Sequence, residues 1–226
     1  MDLVINNPKT KNKCQIFTPD NIVEKMLDLA GYKNYLLGKK VLENSCGDGQ
    51  ILSSVVRKYI EWGKKEGISN EQIKLGLETD ISGYDVDAEL IEKCKTRLSS
   101  IAMEYGIMDV FWNIQCQDFL QANIQESYDY VIGNPPYIAY PDLDEETRKY
   151  VRDNFETCKK GKFDYCYAFI EKTYKLLENG GVLVYIIPSN MFKNVFASEL
   201  RALIKADIDQ IYDFPNDKIF TEALVS

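Results

Sequence analysis

Apolar positions along this chain alternate between a helical spacing and short runs of β-branched and aromatic residues. Ile22, Val23, Met26, Leu27 and Ala30 recur on one face of a helix that Gly31 ends. Similar spacings predict helices over 51–62, 88–105, 165–177 and 196–204. Apolar runs predict strands over 39–43, 110–115, 128–132, 182–187 and 208–214, and residues 73–85 are predicted to hold a turn and then a strand that ends at Asp85.

This alternation of helices and strands predicts an α/β fold with a doubly wound, mainly parallel sheet. The run over 182–187 is nearly all apolar, as expected of a strand that is buried on both faces. Residues 221–226 look like one more strand. We therefore expect residues 1–226 to form one domain that is truncated or split near its C-terminus.

Composition narrows the class of protein. The chain has 226 residues, of which 45% are hydrophobic, so it can bury a sizeable core. No membrane span or signal peptide is recognisable, and the six cysteines form no CxxC pair, which predicts a cytoplasmic protein with reduced thiols. Histidine is absent, which excludes histidine acid–base catalysis and histidine-ligated metal sites, and we expect no bound metal.

Charge argues against a broad nucleic-acid surface on this chain, because the net charge is −8. The charges are nevertheless uneven. Acidic residues cluster at Asp142, Asp144, Glu145 and Glu146, and lysines cluster at Lys159, Lys160 and Lys162. We interpret both clusters as solvated surface.

Asn134-Pro135-Pro136-Tyr137 follows a predicted strand and is the strongest chemical signal in the chain. The two prolines fix φ and remove two backbone donors, which leaves carbonyl oxygens, a side-chain amide and a phenol ring in a stiff turn. Such a turn suits a planar group with an NH₂ to donate. An ordinary Pro-Pro loop is the alternative for the tetrapeptide alone.

Three other predicted strand ends carry polar or glycine residues. Glu43 to Gly49 contains two glycines that let the backbone approach a ligand, and Asp85 lies where doubly wound folds bind ribose hydroxyls. Asp87 is expected to cap the next helix. Asp118 followed by Phe119 suits a purine, with the carboxylate accepting from its amine and the ring packing on it. Together these ends predict a nucleoside-cofactor site beside a substrate pocket.

These motifs and their order resemble the S-adenosylmethionine-dependent DNA adenine-N6 methyltransferases of type II restriction–modification systems. The resemblance covers nearly the whole chain: it includes Phe17-Thr18-Pro19, Glu43 to Gly49, Gly83 to Asp87, Asp118 to Leu120, Asn134 to Tyr137, Phe163 to Phe169, Gly180-Gly181 and Pro188 to Asn190. It implies a Rossmann-like class I methyltransferase fold. Asn44-Ser45 departs from the more usual Pro-Ala of that family, and no segment of residues 1–226 resembles its domain for reading DNA sequence.

The resemblance also implies roles for residues. S-adenosylmethionine is expected to contact Phe17, Thr18, Glu43, Ser45, Cys46, Gly47, Asp85, Val86, Asp118, Phe119 and Asn134. Asn134, Pro135, Pro136 and Tyr137 form the catalytic motif, and Tyr137 and Phe220 are expected to contact the target base. DNA is the implied partner, reached through a recognition domain or subunit outside this chain, and a cognate restriction endonuclease is a further expected partner. Alone, residues 1–226 are expected to bind duplex DNA weakly and without sequence preference.

Other functions share parts of this pattern. Protein glutamine-N5 methyltransferases also use Asn-Pro-Pro-Tyr, and ribosomal-RNA guanine-amine methyltransferases are a weaker alternative. A non-catalytic cofactor-binding subunit would keep the fold without the reaction. The Phe17-Thr18-Pro19 start and the segment from Phe163 to Asn190 favour the DNA enzymes.

Overall fold

The structure, a computed structural model, describes residues 18–214, apart from the side chain of Asn190. These residues divide into two units. The sheet unit comprises residues 18–134 and 176–185, and the helical unit comprises residues 135–175 and 186–214.

The sheet unit is built on five parallel strands in the order β3-β2-β1-β4-β5. The strands are β1 (Val41–Glu43), β2 (Ile81–Asp85), β3 (Asn113–Cys116), β4 (Tyr128–Gly133) and β5 (Leu177–Tyr185). Val41 pairs with Ile81 on one side and with Tyr130 on the other, so the strand order reverses at β1. This confirms the predicted doubly wound, parallel sheet and places a switch point between β1 and β4.

The helices of the sheet unit pack along the sheet, and their buried apolar side chains form much of its core. They are α1 (Asp20–Ala30), α2 (Gln50–Lys65), α3 (Asn70–Asp80) and α4 (Ala88–Glu104). The apolar face predicted for α1 is buried, and Gly31 ends that helix in the left-handed conformation. Asp87 caps α4 as predicted, since its carboxylate accepts from the N–H groups of Glu89 and Leu90 at 3.0 and 3.4 Å.

A turn was predicted ahead of β2, but the structure has helix α3 there instead. Ser69 and Gln72 form a reciprocal capping box at its start, a signal that the apolar pattern did not reveal. Gly76 lies inside this helix and is required by packing, because a Cβ there would lie 1.9 Å from the hydroxyl of the buried Tyr59.

Strand β5 differs from its prediction in both register and burial. Tyr128 pairs with Leu177 but Tyr130 pairs with Val182, so the glycine-containing segment between them bulges out of the strand. The expectation of burial on both faces was wrong, because residues 182–185 are only half-buried. Among residues 18–214, β5 pairs only with β4 and is an edge strand.

Two further predictions near the C-terminal end are also corrected. In the described part of the chain, residues 208–214 contain no strand, and Ile211 and Tyr212 are largely exposed. The helix predicted over 196–204 is a short 3₁₀ turn (Val195–Ala197) followed by α7 (Ser198–Ile204). Residues 221–226 lie outside the described residues.

The helical unit holds the segment that follows β4. It contains α5 (Glu145–Asn154), α6 (Cys166–Leu176) and α7, with 3₁₀ turns at Tyr140–Asp142, Glu156–Cys158, Ser189–Phe192 and Val195–Ala197. Helix α5 was not predicted from the sequence. It includes part of the acidic cluster, and Asp144 caps it by accepting from the N–H of Thr147 at 2.7 Å.

Gly49 is expected to be less tolerant of substitution than a surface glycine with the same left-handed backbone. Its φ is +87°, and a Cβ would lie 2.7 Å from Sγ of Cys94, whereas at Gly67 (φ +73°) a Cβ would meet nothing within 4 Å. Both alanine variants are destabilised by the left-handed backbone conformation, but only Gly49→Ala also overpacks the core. We expect Gly49→Ala to lower the free energy of unfolding by about 1–3 kcal/mol more than Gly67→Ala. Equal losses in urea unfolding of the two variants would contradict this packing.

Candidate functional site

At the switch point, hydrogen bonds connect the segments that follow β1 and β4 at the carboxyl edge of the sheet. Ser45, two residues after β1, donates from its Oγ to the backbone carbonyl of Asn134 at 3.0 Å. The Asn134 amide in turn donates to Oγ1 of the buried Thr18 at 3.4 Å, a long contact. The structure thus brings Thr18, Ser45 and Asn134 together at the position where open α/β sheets bind ligands.

Hydrogen bonds connect the glycine turn after β1 to the end of β2. The N–H of Gly47 donates to Oδ2 of Asp85 at 2.9 Å, and the N–H of Asp87 donates to Oδ1 at 3.0 Å. The N–H of Cys46 donates to the carbonyl of Tyr84 at 2.9 Å. Burial raises the pKa of the Asp85 carboxyl, and the two backbone donors oppose that shift.

The Asp85 carboxylate and the adjacent turn have the properties of a site for a hydroxyl-bearing ligand. A carboxylate offers about four acceptor positions, so one N–H on each oxygen leaves capacity for further donors. Gly47 has φ +50°, and a Cβ on it would meet nothing within 4 Å. Space beside the turn and acceptor capacity on Asp85 together fit a ribose.

Glu43 ends β1, and Cys46 lies in the glycine turn that follows it; both side chains are buried. Glu43 is 3% exposed and accepts from the N–H of Leu52 at 3.2 Å, which ties the end of β1 to α2. Burial raises its pKa well above the usual range for a glutamate. A side-chain hydrogen bond with Cys94, together with burial, raises the pKa of the Cys46 thiol. In this structure the Glu43 side chain contacts α2 and the Cys46 side chain contacts α4.

Asp118 and Phe119, predicted from the sequence to contact a purine, follow the end of β3. Asp118 accepts from the N–H of Leu120 at 2.8 Å and from Nε2 of Gln121 at 2.9 Å, so its carboxylate closes a local turn. Phe119 is 2% exposed and packs edge-on against Tyr84, with ring centroids 5.9 Å apart. Val86, by contrast, is exposed. The assignments of these side chains to a cofactor remain predictions.

The rest of the tetrapeptide motif belongs to the helical unit. Pro135 is buried, and the Tyr137 hydroxyl donates to the backbone carbonyl of Ile186. Ala139, two residues later, forms an antiparallel bridge with Asp164, which lies just before α6. These contacts hold Tyr137 and the residues after it within the helical unit.

Some predicted positions lie elsewhere, and others were missed. Phe17 and Phe220 lie outside the described residues. Asn44, noted in the sequence only as a departure, is 2% exposed and donates from Nδ2 to the hydroxyl of Tyr185 at the end of β5. No sequence signal predicted this link, because it joins side chains that are distant along the chain.

The described part of the chain contains neither a cluster of metal-ligating side chains nor a helix suited to cross a membrane. In residues 18–214, no three His, Cys, Asp or Glu side chains gather as metal ligands. None of the helices in that range combines the length and the apolar character that crossing a membrane requires.

Comparison with known proteins identifies relatives of this architecture. The profile of the Eco57I restriction-modification methylase family matches residues 68–220. Type II methyltransferase M.HincII of Haemophilus influenzae is 29% identical over 210 residues, which cover 91% of this chain and 34% of that protein. The chain spans about a third of the length of the curated relatives that it matches.

Solved structures agree on the fold. A Listeria monocytogenes protein described as a class I S-adenosylmethionine-dependent methyltransferase has a TM-score of 0.59 and 24% identity, covering 84% of this chain and 52% of that one. The DrdV–DNA complex has a TM-score of 0.67 and 16% identity, covering 89% of this chain and 23% of that one. The predicted Rossmann-like class I methyltransferase fold is confirmed.

Glu43 is expected to make stability depend on pH. Because its folded pKa is raised, this carboxyl stabilises the fold fully below its unfolded pKa of about 4.3 and loses that contribution as pH rises through the folded value. Glu43→Gln keeps an acceptor for Leu52 but has no proton to release. We expect the variant to gain stability relative to wild type between pH 4 and pH 7, measured by urea unfolding at several pH values. Glu66→Gln, at an exposed position, is the matched control, and parallel curves for Glu43→Gln and wild type would contradict the burial argument.

Proposed function

Because the chain belongs to the Eco57I restriction-modification methylase family, we propose that it supplies the cofactor-binding and catalytic part of a DNA adenine-N6 methyltransferase. The reaction transfers a methyl group from S-adenosylmethionine to the N6 amine of an adenine flipped out of duplex DNA. One observation carries the proposal. Asn134, which opens the Asn-Pro-Pro-Tyr motif, lies at the switch point and is tied to Ser45 of the glycine turn.

S-adenosylmethionine is assigned to the carboxyl edge of the sheet unit. Asp85 accepts from the ribose hydroxyls, and the turn over Ser45, Cys46 and Gly47 faces the methionine portion. When bound, the cofactor supplies an electrophilic methyl group. The hydrogen bonds from Gly47 and Asp87 to Asp85 support this assignment, because they hold the carboxylate in place before any ligand arrives.

The motif holds and orients the target amine. An amide that donates through Nδ2, as Asn134 does toward Thr18, presents its Oδ1 on the opposite side. Oδ1 of Asn134 and the backbone carbonyl of Pro135 accept the two amine hydrogens. This directs the nitrogen lone pair toward the methyl group. With the cofactor bound, Asn134 and Pro135 would hold the amine in line with the methyl group that the cofactor supplies, and the amine proton would be released to solvent.

Tyr137 is assigned to the face of the flipped base. Stacking of a base on an aromatic ring contributes roughly 1–3 kcal/mol and tolerates any base. The hydrogen bond from the Tyr137 hydroxyl to Ile186 supports a fixed ring orientation, which lowers the entropy cost of stacking. Pro136 stiffens the turn between the two functional side chains.

The alternatives receive less support. Membership of a restriction-modification methylase family favours DNA over a protein glutamine or ribosomal-RNA substrate. The paired contacts of Asn134 favour a catalytic unit over a subunit that only binds cofactor. We assign the chain to the cytoplasm, with duplex DNA as its substrate and a cognate restriction endonuclease as the companion activity.

Loss of the Asp85 carboxylate is expected to weaken cofactor binding. Asp85→Ala should reduce the affinity for S-adenosylmethionine by more than about 1 kcal/mol, as expected when a hydrogen bond to a charged group is lost. Isothermal titration calorimetry measures this directly. Asp28→Ala, on the exposed face of α1, is the control and should bind as wild type does. Unchanged affinity in Asp85→Ala would remove this residue from the site.

Replacement of Asn134 tests the reaction itself. Asn134→Ala should abolish methyl transfer to duplex DNA while affinity for S-adenosylmethionine stays within a few-fold of wild type, because the side chain is assigned to the target amine. Methyl incorporation is measured with the DNA recognition component supplied in cis or as a partner chain. A variant that still methylates adenine, or wild type that methylates a glutamine peptide and no DNA, would refute the proposed function.

A further inference from the structure

Two arginines of the helical unit converge on one aromatic ring. The guanidinium carbons of Arg148 and Arg152 each lie 5.1 Å from the ring centroid of Tyr140, three residues after Tyr137. Tyr140 is itself fixed by an edge-on contact with Phe163, at 5.2 Å between centroids. The two guanidinium groups, here called the arginine pair, therefore sit close to the chain segment that carries the assigned base-stacking residue.

Backbone carbonyls hold the arginine pair in place. Arg148 donates from Nε and Nη2 to the carbonyl of Leu143, at 2.8 and 2.6 Å. Arg152 donates from Nη2 to the carbonyl of Gly161 at 2.7 Å and from Nη1 to the Tyr140 hydroxyl at 3.3 Å. Its Nε is buried without a hydrogen-bond acceptor among residues 18–214. Both side chains are partly buried, so their positions are well defined.

No carboxylate in the described ranges neutralises the arginine pair, although the chain has a net charge of −8. Acidic residues around it are occupied otherwise: Asp144 binds Thr147, Asp153 pairs with Lys149 at 2.6 Å, and Glu156 pairs with Lys159. Exposed acids remain at Asp142, Glu145 and Glu146, and none of them forms an ion pair with an arginine within residues 18–214.

Two like charges one helical turn apart destabilise an isolated helix. In α5 the two arginines are also partly desolvated, which adds to that cost, while each gains a favourable cation–π contact with Tyr140. A bound anion would offset both effects, and each planar guanidinium fork has N–H donors beyond those that bind Leu143, Gly161 and Tyr140, which a phosphate can accept.

We propose that the arginine pair contacts the phosphate backbone of DNA next to the target nucleotide. The inference rests on the proposed function and adds to it a phosphate-binding element on the catalytic chain. Arg152 also links this element to the loop of Lys159, Lys160 and Lys162 through the Gly161 carbonyl. Lys159 and Lys160 are paired with Glu156 and Glu199, so the arginine pair is the better placed to receive a phosphate.

The salt dependence of DNA binding tests the proposal. A fluorescent duplex of mixed sequence is titrated with the 226-residue chain at roughly 50 to 200 mM NaCl, and the logarithm of the association constant is plotted against that of the salt concentration. Each phosphate contact contributes about 0.9 to the slope. Arg148→Gln and Arg152→Gln should each reduce the slope by about this amount. Lys149→Gln removes the same charge from the same helix at a carboxylate-paired position and should keep the wild-type slope.

Lysine variants separate charge from structure. Arg148→Lys and Arg152→Lys keep the positive charge but lose the fork, so they should keep the slope and weaken binding about equally at every salt concentration. Slopes that fall as far in the lysine variants as in the glutamine variants would indicate a structural effect and overturn the proposal. Unchanged slopes in both glutamine variants, or no salt dependence in wild type, would overturn it as well.

Cofactor calorimetry on the same proteins distinguishes this inference from the proposed function. The arginine variants should bind S-adenosylmethionine as wild type does, because neither residue is assigned to the cofactor. A wild-type chain that fails to bind the cofactor would refute the proposed function whatever the salt slopes. If wild type binds the cofactor and the glutamine variants keep the wild-type salt slope, the phosphate contact is refuted and the proposed function is not.

Discussion

Parallel pairing of β1 with β4 is the constraint on which the candidate site depends. The strand order reverses there, so the chain leaves the carboxyl ends of two neighbouring strands in different directions and opens a crevice between them. Ser45 reaches Asn134 only because these strands are adjacent. The neighbouring pair β1–β2 brings Gly47 to Asp85 in the same way. A sheet with another strand order would carry the same residues without assembling them.

Sequence periodicity was sufficient for the elements with a strong apolar pattern, and it failed where packing overrode local preference. The spacing of Ile22 to Ala30 and the following Gly31 determined α1, since both signals act within a single helix. Helix α3 was missed, and the role of its Gly76, room for the Tyr59 hydroxyl, depends on a residue of another helix. Residues 208–214 have strand-like composition, yet composition does not determine whether a pairing partner is available.

The candidate site was predictable to the extent that its residues lie at strand ends. Asp85 and Asn134 were identified because parallel strands bring their carboxyl ends to one edge. The burial of Phe119 against Tyr84 and the link from Asn44 to Tyr185 are contacts between side chains distant in sequence, for which a single sequence holds no signal. The lysine and acidic clusters were visible, whereas the convergence of two arginines on Tyr140 was not. It requires α5, a short helix whose mostly polar sequence hid it from hydrophobic periodicity.

The strand order also determines when each part of the molecule can form during synthesis. The strands β1, β2 and β3 all lie before residue 117 and are neighbours in the sheet, so they can pair while the remainder of the chain is still on the ribosome. The turn of Gly47 and its anchor on Asp85 belong to this early part. Asn134 emerges later, and its hydrogen bond from Ser45 forms on a turn that is already in place. A nascent chain can therefore complete the turn that we assign to the nucleoside before the motif that we assign to methyl transfer has been synthesised.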